Sequence, residues 1–518
     1  MSATVDKTTP DEVIKDLGGC GRYQMRLCVT VHLVKTMFSF SFASLIIITS
    51  DPAWWCNDNV YSNDTFLEPS LKQTCSSING TKCHSFSFEE ETNTIVSEFK
   101  LICRNDFIPS TVNSIQLAGA MASHVISGHI ADRFGRKPPF LISILLVSSS
   151  CLVGFFSVSW KMFAVSAFFT GFGGGGFLTT YFNLMSEYTP ANWRGFVIGF
   201  PSYALHQCLL SLIAWRIREW RYLLLMTSLL GMPCFLAAYL IVPESFRWYI
   251  AHEKLDKAKD IVTSIAKYNR NYNFNTAIDL RRPESPTKLR YSFLNLFQTR
   301  ALVKVTLLSM LNWVTLGVVG FGLLFGIQNL SGNLYLNICL FSLTMIPSKA
   351  IATWLTNRIG RRKATNICFT VVGIAGLTGG ALQTLDVKYK DQLTTVLAIV
   401  ANSSISAAWG TVQTMTVELY PTVIRSIGFG MLSFIGGIGS VIGPQFVYLD
   451  THMPGLLLYL CGGLSVLCAI GTSLLPETKD KYLLDKIHVD APVTTVSNDI
   501  SELPEVIELE IAGVNGNI

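Results

Sequence analysis

Two lysines lie inside long apolar segments of the sequence, where an ionised side chain is unusual. Lys35 follows Arg26 by nine residues, which is about 13 Å along a helix, and Lys349 precedes Asn357 by eight, which is about 12 Å. An ionised group in the hydrocarbon core of a membrane costs roughly 2.5–3.5 kcal/mol or more, so both ammonium groups are candidate anion-binding sites. The alternative for Lys35 is that its long side chain reaches the nearer membrane interface.

Long apolar segments, which must position these lysines, make up most of the chain. Half of the 518 residues are hydrophobic and only 14% are charged, whereas about 25% are charged in soluble domains. A segment of roughly 20 apolar residues crosses the ~30 Å hydrocarbon core as a helix, because lipid offers free N–H and C=O groups no partner. We predict an all-α membrane protein with twelve transmembrane helices, over residues 25–48, 109–131, 138–158, 162–186, 195–215, 222–242, 303–326, 333–356, 365–385, 393–416, 425–447 and 455–475.

The predicted helices divide the chain into segments of different character. The N-terminal segment lacks the apolar core of a signal peptide, and the polar C-terminal tail, acidic near its end, is typical of a disordered segment. The segments are an N-terminus at 1–24, helix 1 at 25–48, a long loop at 49–108, helices 2–6 at 109–242, a linker at 243–302, helices 7–12 at 303–475 and a tail at 476–518.

The distribution of basic residues predicts the orientation of the helices. Lysine and arginine favour cytoplasmic loops, and they are concentrated at 132–137, at 357–363 and in the linker. All three segments fall on one side if both termini are cytoplasmic, which makes the loop at 49–108 extracellular. The short loop at 216–221 contains three arginines and would lie outside, against the rule, but the three larger segments outweigh it.

The long loop has the composition of an extracellular segment. It contains four cysteines, Cys56, Cys75, Cys83 and Cys103, and two glycosylation sequons, at Asn63 and Asn79. Two disulfides are expected, and the three possible pairings remain open. The other nine cysteines are interpreted as reduced packing residues, and no metal-ligand spacing is found among them.

Three short motifs occur twice, in the same order and at nearly one offset, so the chain is an internal duplication of six helices. The offsets are 225, 231 and 233 residues. The pairs are DRFGRK at 132–137 with NRIGRR at 357–362, EYTPANWR at 187–194 with ELYPTVIR at 418–425, and PES at 243–245 with PET at 476–478.

These motifs resemble those of the major facilitator superfamily over nearly the whole chain. The segments 243–248 (PESFRW), 418–425 (ELYPTVIR) and 333–336 (NLYL), with the cysteine-bearing loop, are similar to the organic cation, carnitine and organic anion transporter family. Sugar porters share several of the motifs but have a short first outer loop. The resemblance implies two six-helix bundles and an extracellular loop domain after helix 1.

The resemblance also implies a cytoplasmic gate, in which ion pairs across the two halves hold that side closed. The alternative is that the same charges only orient and anchor the helices. Asn357 stands where the family has an aspartate, so the second half departs from the pattern. The gate candidates are Asp132, Arg133, Arg136, Glu187, Arg194, Glu244, Arg247, Arg358, Arg361, Glu418 and Arg425.

The resemblance further bears on the substrate. The segment 346–349 (IPSK) is similar to a stretch of the organic anion carriers whose lysine helps bind the anion, and Met345 stands where cation carriers have an acidic residue. Gly437, seven residues before Pro444, replaces a charge that the family usually has there, and we hypothesise that Lys35 substitutes for it. Aromatic and amide residues that could complete the cavity, although most such residues only pack, are Tyr181, Tyr203, Gln207, Asn312, Trp313, Trp409 and Gln413.

These features predict a multi-pass plasma-membrane carrier, secondary-active or facilitative, that moves small organic ions by alternating access. Because the only deep charges are positive, we favour organic anions or zwitterions, in exchange for a counter-transported ion or by facilitated diffusion. The alternatives are an organic cation or carnitine transporter, binding cations on aromatic faces, and a non-transporting receptor or scaffold of the same fold. No nucleophile and base are spaced as in an enzyme, and we expect no cofactor, metal or nucleic-acid partner.

Overall fold

The computed structural model describes residues 13–14, 16–17, 19–57, 75, 83, 85–88, 92–190, 193, 197, 200–271, 292–385, 387–421 and 424–479. Within these residues, twelve long helices carry the fold. They are α1 (Arg22–Ile48), α3 (Ile108–Phe134), α4 (Lys137–Phe155), α5 (Trp160–Tyr188), α6 (Ser202–Ile217), α7 (Trp220–Ile241), α10 (Arg300–Gly326), α11 (Leu334–Ile359), α12 (Arg361–Thr384), α13 (Lys390–Leu419), α14 (Arg425–His452) and α15 (Leu456–Ser473). The shorter elements are β1 (Trp54–Cys56), β2 (Phe86–Phe88), α2 (Ile95–Phe99), α8 (Phe246–Ala251) and α9 (Leu255–Tyr268).

The twelve helices confirm the predicted all-α membrane fold. Ten of them are long and apolar enough to cross a membrane by themselves. The other two are α3, which carries many polar side chains, and α6, which has 16 described residues. The prediction placed the start of α6 at residue 195, but the described helix begins at Ser202, after Pro201, whose ring disfavours helical backbone in the preceding residue.

The helices form two halves, α1 with α3–α7 and α10–α15, each with its own packing. In the first half α3 and α4 pack against α5, and in the second half α10 packs against α14 and α12 against α15. The halves meet where α3 packs against α14 and where α6 packs against α11. We call the end at which α3 begins, next to the residue 49–107 loop, the loop end. The opposite end, at which α3 ends, is the motif end.

Glycines allow the helices of the first half to approach each other closely. A Cβ atom built on Gly171 of α5 would lie 1.9 Å from the carbonyl oxygen of Gln116 of α3, and one on Gly175 would lie 2.3 Å from that of Ala120. Small residues at such contacts let two backbones meet in a membrane. The glycine-rich run at 171–176 is therefore a helix-packing surface.

The repeated motif forms the same turn in both halves. Gly135, between α3 and α4, has φ of +106°, and Gly360, between α11 and α12, has φ of +102°, a region that favours glycine. A Cβ on Gly135 would lie 2.2 Å from Oε2 of Glu244, and one on Gly360 would lie 2.6 Å from Oε2 of Glu477. Each glycine thus provides a left-handed turn and leaves room for a carboxylate.

The long loop contains two of the three disulfides found in the described residues. Cys56 bonds to Cys83, and Cys75 to Cys103, which selects one of the three pairings. The antiparallel strands β1 and β2 lie beside the first bond. Asn63 and Asn79, the predicted glycosylation sites, lie outside the described residues.

The third disulfide corrects the interpretation of the remaining cysteines as reduced. Cys208 of α6 bonds to Cys339 of α11, although 131 residues separate them in sequence. Both lie in predicted spans, where cysteine is usually a small packing residue. The tertiary contact between α6 and α11, which the sequence does not reveal, brings them together. The other described cysteines are free.

The structure explains one of the three arginines that oppose the charge rule. Arg221, at the loop end of α7, forms an ion pair with Glu98 of α2. It also donates to the carbonyl oxygen of Ser157, at 2.8 Å, and Trp220 donates to Glu98 at the same distance. A loop carboxylate thus compensates this arginine, and the bond anchors the loop to the first half.

We predict that Gly135→Ala destabilises the protein, because the new Cβ would occupy the position of the Glu244 carboxylate at a positive φ. Backbone strain of this kind costs about 1–3 kcal/mol. The measurement is the midpoint of thermal unfolding of the detergent-purified protein. Gly463→Ala, on α15, is the matched control because its Cβ would meet nothing within 4 Å. Equal midpoints for the two variants would contradict the assigned turn.

Candidate functional site

The two deep lysines come from opposite halves. Lys35 lies on α1 and Lys349 on α11, and their charges are near enough to interact electrostatically. The Lys35 ammonium lies 5.1 Å from the ring centroid of Tyr181, and Lys349 is exposed. Neither lysine forms an ion pair with another described residue. The site therefore combines two positive charges without an acidic partner.

Two histidines near Lys35 are occupied by hydrogen bonds between helices. The ring nitrogens of His32 lie 3.1 Å from the Ser202 hydroxyl and 3.2 Å from a backbone carbonyl. Those of His206 lie 3.1 Å from the Thr36 hydroxyl and 3.2 Å from that of Ser39. These bonds connect α1 to α6. They hold α1, the helix that carries Lys35, against α6.

Three predicted cavity residues have buried polar atoms with no hydrogen-bond partner in the described structure. They are the hydroxyl of Tyr181, both side-chain amide atoms of Gln207 and the side-chain amide nitrogen of Asn312. A buried polar group without a partner costs about 1–3 kcal/mol. A polar ligand at this site would recover that cost for Tyr181, which lies beside Lys35, and for Gln207, which follows His206 on α6, so these two residues are candidates to complete the lysine site.

Other predicted cavity residues make packing contacts inside the second half. Trp313 of α10 donates its indole N–H to Thr416, at 3.0 Å, and its ring lies 5.9 Å from that of Trp409. Asn312 accepts a hydrogen bond from Thr472, at 3.3 Å. These contacts hold the Trp313 and Trp409 rings and the Asn312 amide oxygen within the bundle. Tyr203 and Gln413 are half-buried.

Charged residues at the motif end of the first half converge on Arg136. Its guanidinium lies 2.6 Å from the Asp132 carboxylate and 3.2 Å from that of Glu187. Its backbone N–H donates to Glu244, at 2.6 Å, and Arg247 donates to the carbonyl oxygen of Glu187, at 3.2 Å. The three signature motifs of this half thus form one polar cluster.

The second half repeats this cluster with different residues. Arg361 lies 3.0 Å from Glu418, and the Thr478 hydroxyl donates to the same carboxylate, at 2.6 Å. Glu477 accepts the backbone N–H of Arg361, at 2.8 Å, as Glu244 does that of Arg136. Glu477 was absent from the predicted gate set. The repeat of PES as PET was the signal that could have identified it.

The ion pairs described at the motif end, Arg136 with Asp132 and Glu187 and Arg361 with Glu418, each lie within one half in this conformation. The expected ion pairs across the two halves stay a prediction for the conformation in which this end is closed. Arg133 and Arg358 lie against the rings of Phe134 and Trp354. Two guanidinium nitrogens of Arg425 are buried without a partner in the described structure. Arg194 lies outside the described residues, and the gating role of the set stays a prediction.

Direct polar contacts between the halves occur instead at the loop end. Ser114 of α3 donates to the carbonyl oxygen of Val441, at 2.7 Å, and accepts from Gln445 of α14, at 2.9 Å. Ser211 of α6 donates to the carbonyl oxygen of Tyr335 of α11, at 2.5 Å. Hydrogen bonds thus hold the halves together at this end in both interhelical contacts.

An ion pair and a close packing contact extend this interface. His452, at the end of α14, lies 3.6 Å from Asp106 and pairs with it when protonated. A Cβ atom on Gly437 would lie 2.8 Å from the Met121 side chain of α3. The position where the family usually has a charge is therefore covered by the opposite half in this conformation.

The environment of Glu477 sets its protonation. Partial burial acts to raise the pKa of this carboxyl, but the backbone N–H groups of Lys479, Arg362, Arg361 and Thr478 outweigh it, so the pKa lies below its usual value. Hydrogen bonds to the charged form of a carboxylate have this effect. Glu477 is consequently an ionised helix cap at neutral pH.

The fold and this site define a class of protein. Two six-helix halves that meet in hydrogen-bonded contacts at the loop end have the architecture of a membrane transporter of the major facilitator type. A family model described as sugar (and other) transporter matches residues 27–490. The chain belongs to this family and, within it, to the solute carrier family 22 group of organic cation, carnitine and organic anion transporters.

Individual relatives and one solved structure agree with this assignment. Human organic cation/carnitine transporter 2 is 31% identical over 413 residues, which cover 78% of this chain and 72% of the relative. Rat solute carrier family 22 member 7 is 26% identical and covers 95% of this chain and 99% of the relative. The inward-open xylose transporter XylE of E. coli superposes with a TM-score of 0.62 at 15% identity, covering 89% and 98% of the two chains.

We predict that Glu477→Gln lowers the midpoint of thermal unfolding, because a neutral amide binds the four N–H groups more weakly than a carboxylate does. A carboxyl group whose pKa is lowered by folding stabilises the fold at any pH above its ordinary pKa. That stabilisation is lost as the pH falls through the lowered pKa. The difference between wild type and variant should therefore be largest at neutral pH and shrink in acid. Glu253→Gln, at an exposed glutamate, is the control, and a difference independent of pH would argue against the assignment.

Proposed function

We propose that the protein carries small organic anions or zwitterions across the plasma membrane by alternating access, and that Lys349 and Lys35 bind the anionic group. The observation that carries this proposal is the pair of interacting lysines, one from each half, that have no acidic partner in the described structure. Transporters of this kind bind substrate near the bilayer midplane, at the interface of their repeats.

Electrostatics favour an anion at this position. Two positive charges in a medium of low dielectric constant repel each other, and an anion between them replaces repulsion by two attractions. Because each half contributes one lysine, a bound anion also attracts the two halves to each other. Tyr181 and Gln207 would then give their unpaired polar groups to the same ligand.

The proposed orientation places the loop end outside and both termini in the cytoplasm. Basic residues of the repeated motifs, among them Arg136 and Arg361, then lie on the cytoplasmic side, as the charge rule requires. The bonds between the halves at the loop end support an inward-facing conformation. The similarity to the inward-open xylose transporter supports the same assignment.

The second candidate is an organic cation or carnitine transporter, which the 31% identity to the human transporter of that name favours. Carnitine carries a carboxylate as well as a cation, so the lysine pair fits a zwitterion better than a simple cation. We propose that transport is exchange or facilitated diffusion rather than proton symport, which usually needs a buried carboxylate. Asp450 has a buried carboxylate, but it accepts the backbone N–H of Leu457, at 3.0 Å, and holds the turn between α14 and α15.

We predict that Lys349→Ala abolishes uptake of a para-aminohippurate-like anion and that Lys35→Ala weakens it, because each change removes one charge that attracts the anion. The measurement is initial uptake in cells that express equal amounts of each variant at the surface. Uptake of a tetraethylammonium-like cation is measured in parallel and should stay low in wild type.

The control is Lys161→Ala, which removes a lysine from the loop-end start of α5, beside Trp160 and away from the cavity. It should leave anion uptake unchanged. Unchanged anion uptake in both cavity variants would refute the assigned role of the lysines. Uptake of the cation instead of the anion by wild type would favour the second candidate, and uptake of neither would favour a non-transporting protein.

A further inference from the structure

The disulfide between Cys208 and Cys339 differs from the other two because it joins the two halves. Cys208 lies on α6 of the first half and Cys339 on α11 of the second, with their Cα atoms 4.4 Å apart. The disulfides Cys56–Cys83 and Cys75–Cys103 are confined to the long loop. The Cys208–Cys339 bond alone, among the described disulfides, therefore restricts motion of one half against the other.

The bond lies on the loop-end side of the lysine site. Cys339 is five residues after Leu334, the first residue of α11, which is about 7.5 Å along the helix. Lys349 is ten residues further on, about 15 Å deeper. The hydrogen bond from Ser211 to the Tyr335 carbonyl lies one turn closer to the loop end.

Opening of this end requires the two helices to separate. Hydrogen bonds between the halves can be exchanged for bonds to water when the interface opens, but an S–S bond of about 2 Å can neither lengthen nor be exchanged in this way. Since alternating access opens each end in turn, a covalent link between α6 and α11 holds the loop end closed.

We propose that the Cys208–Cys339 pair is a thiol switch that arrests transport when oxidised and permits it when reduced. The proposal rests on the alternating-access function. In the oxidation, the two thiols give two electrons and two protons to hydrogen peroxide, which crosses membranes, the S–S bond forms, the O–O bond breaks, and two molecules of water leave. A small dithiol reverses the step, becoming a disulfide itself and restoring both thiols.

The positions of the other free cysteines allow a loss of transport on oxidation to be assigned to the Cys208–Cys339 pair. Five of the seven free cysteines are buried within one half or the other, and the two half-buried ones, Cys20 and Cys28, precede or lie on α1 of the first half; the five are Cys151, Cys234, Cys368, Cys461 and Cys468. The structure pairs none of them with a cysteine of the opposite half. Oxidation of any one of them therefore does not link α6 to α11.

The first experiment measures uptake before and after hydrogen peroxide, and again after dithiothreitol. Wild type should lose almost all uptake on oxidation and regain it on reduction, whereas Cys208→Ser and Cys339→Ser should keep their uptake throughout. Cys151→Ser, which removes a buried free thiol of α4, is the matched control and should respond as wild type does. Oxidised wild type that transports as fast as the serine variants would overturn the proposal.

The second experiment detects the bond without depending on transport. A protease site is inserted in the linker between residues 272 and 291, and the cleaved protein is separated by denaturing electrophoresis. The two halves of oxidised wild type should migrate together without reductant and apart with it, and those of Cys208→Ser should always migrate apart. Wild-type halves that separate without reductant after peroxide treatment would refute the cross-link.

A third measurement separates the failure of the switch from the failure of the proposed function. Ser114→Cys places a thiol at the loop-end interface. This substitution is made in two backgrounds, the wild type, which is then oxidised, and the Cys208→Ser/Cys339→Ser double variant. A membrane-impermeant maleimide should label it faster in the double variant, because that protein can open. Equal labelling of the two proteins would overturn the switch, whether or not any substrate is transported. Faster labelling of the double variant without uptake would support the switch and reject the assigned substrate.

Discussion

The hydrocarbon layer offers polar groups no water, and this constraint explains both the order of the bundle and its exceptions. Backbone groups are satisfied inside the helices, and side chains such as His32 and His206 find partners on the neighbouring helix. Against this background, a lysine pair without counter-charge and a buried glutamine without partners are costly. A ligand bound between the two halves could offset this cost, which is the physical argument for a binding site there.

Much of the fold could be predicted from the sequence because its signals are local. Apolar length predicts the spans, and the recurrence of glycine, arginine and carboxylate predicts that Gly135 and Gly360 form equivalent turns. Contacts distant in sequence could not be predicted in this way. The pairing of Cys208 with Cys339 and the ion pair of Arg221 with Glu98 depend on which helices become neighbours, and apolar periodicity contains no information on that.

The two halves keep the same geometry at the motif end while changing its chemistry. In the first half Arg136 has two carboxylate partners, Asp132 and Glu187. In the second half Asn357 takes the place of the aspartate, and Arg361 keeps one carboxylate partner, Glu418, which a threonine hydroxyl also contacts. The Asp132 carboxylate is 74% exposed, and exposed ion pairs contribute little by themselves. The less exposed pairs of Arg136 with Glu187 and Arg361 with Glu418 recur in both halves, as do the carboxylate caps and the left-handed glycines. The shared geometry therefore depends on these recurring contacts, and the exposed aspartate can be replaced.

Conformational exchange imposes the opposite requirement on the loop end. A hydrogen bond in a protein contributes about 0.5–1.5 kcal/mol net, so the few bonds made by Ser114 and Ser211 favour the closed state by an amount that a ligand can overcome. Adding a covalent bond at the same interface removes the competing open state altogether. The same contact between α6 and α11 can thus act as a reversible gate or as a fixed closure, and the oxidation state of two sulfur atoms decides between them.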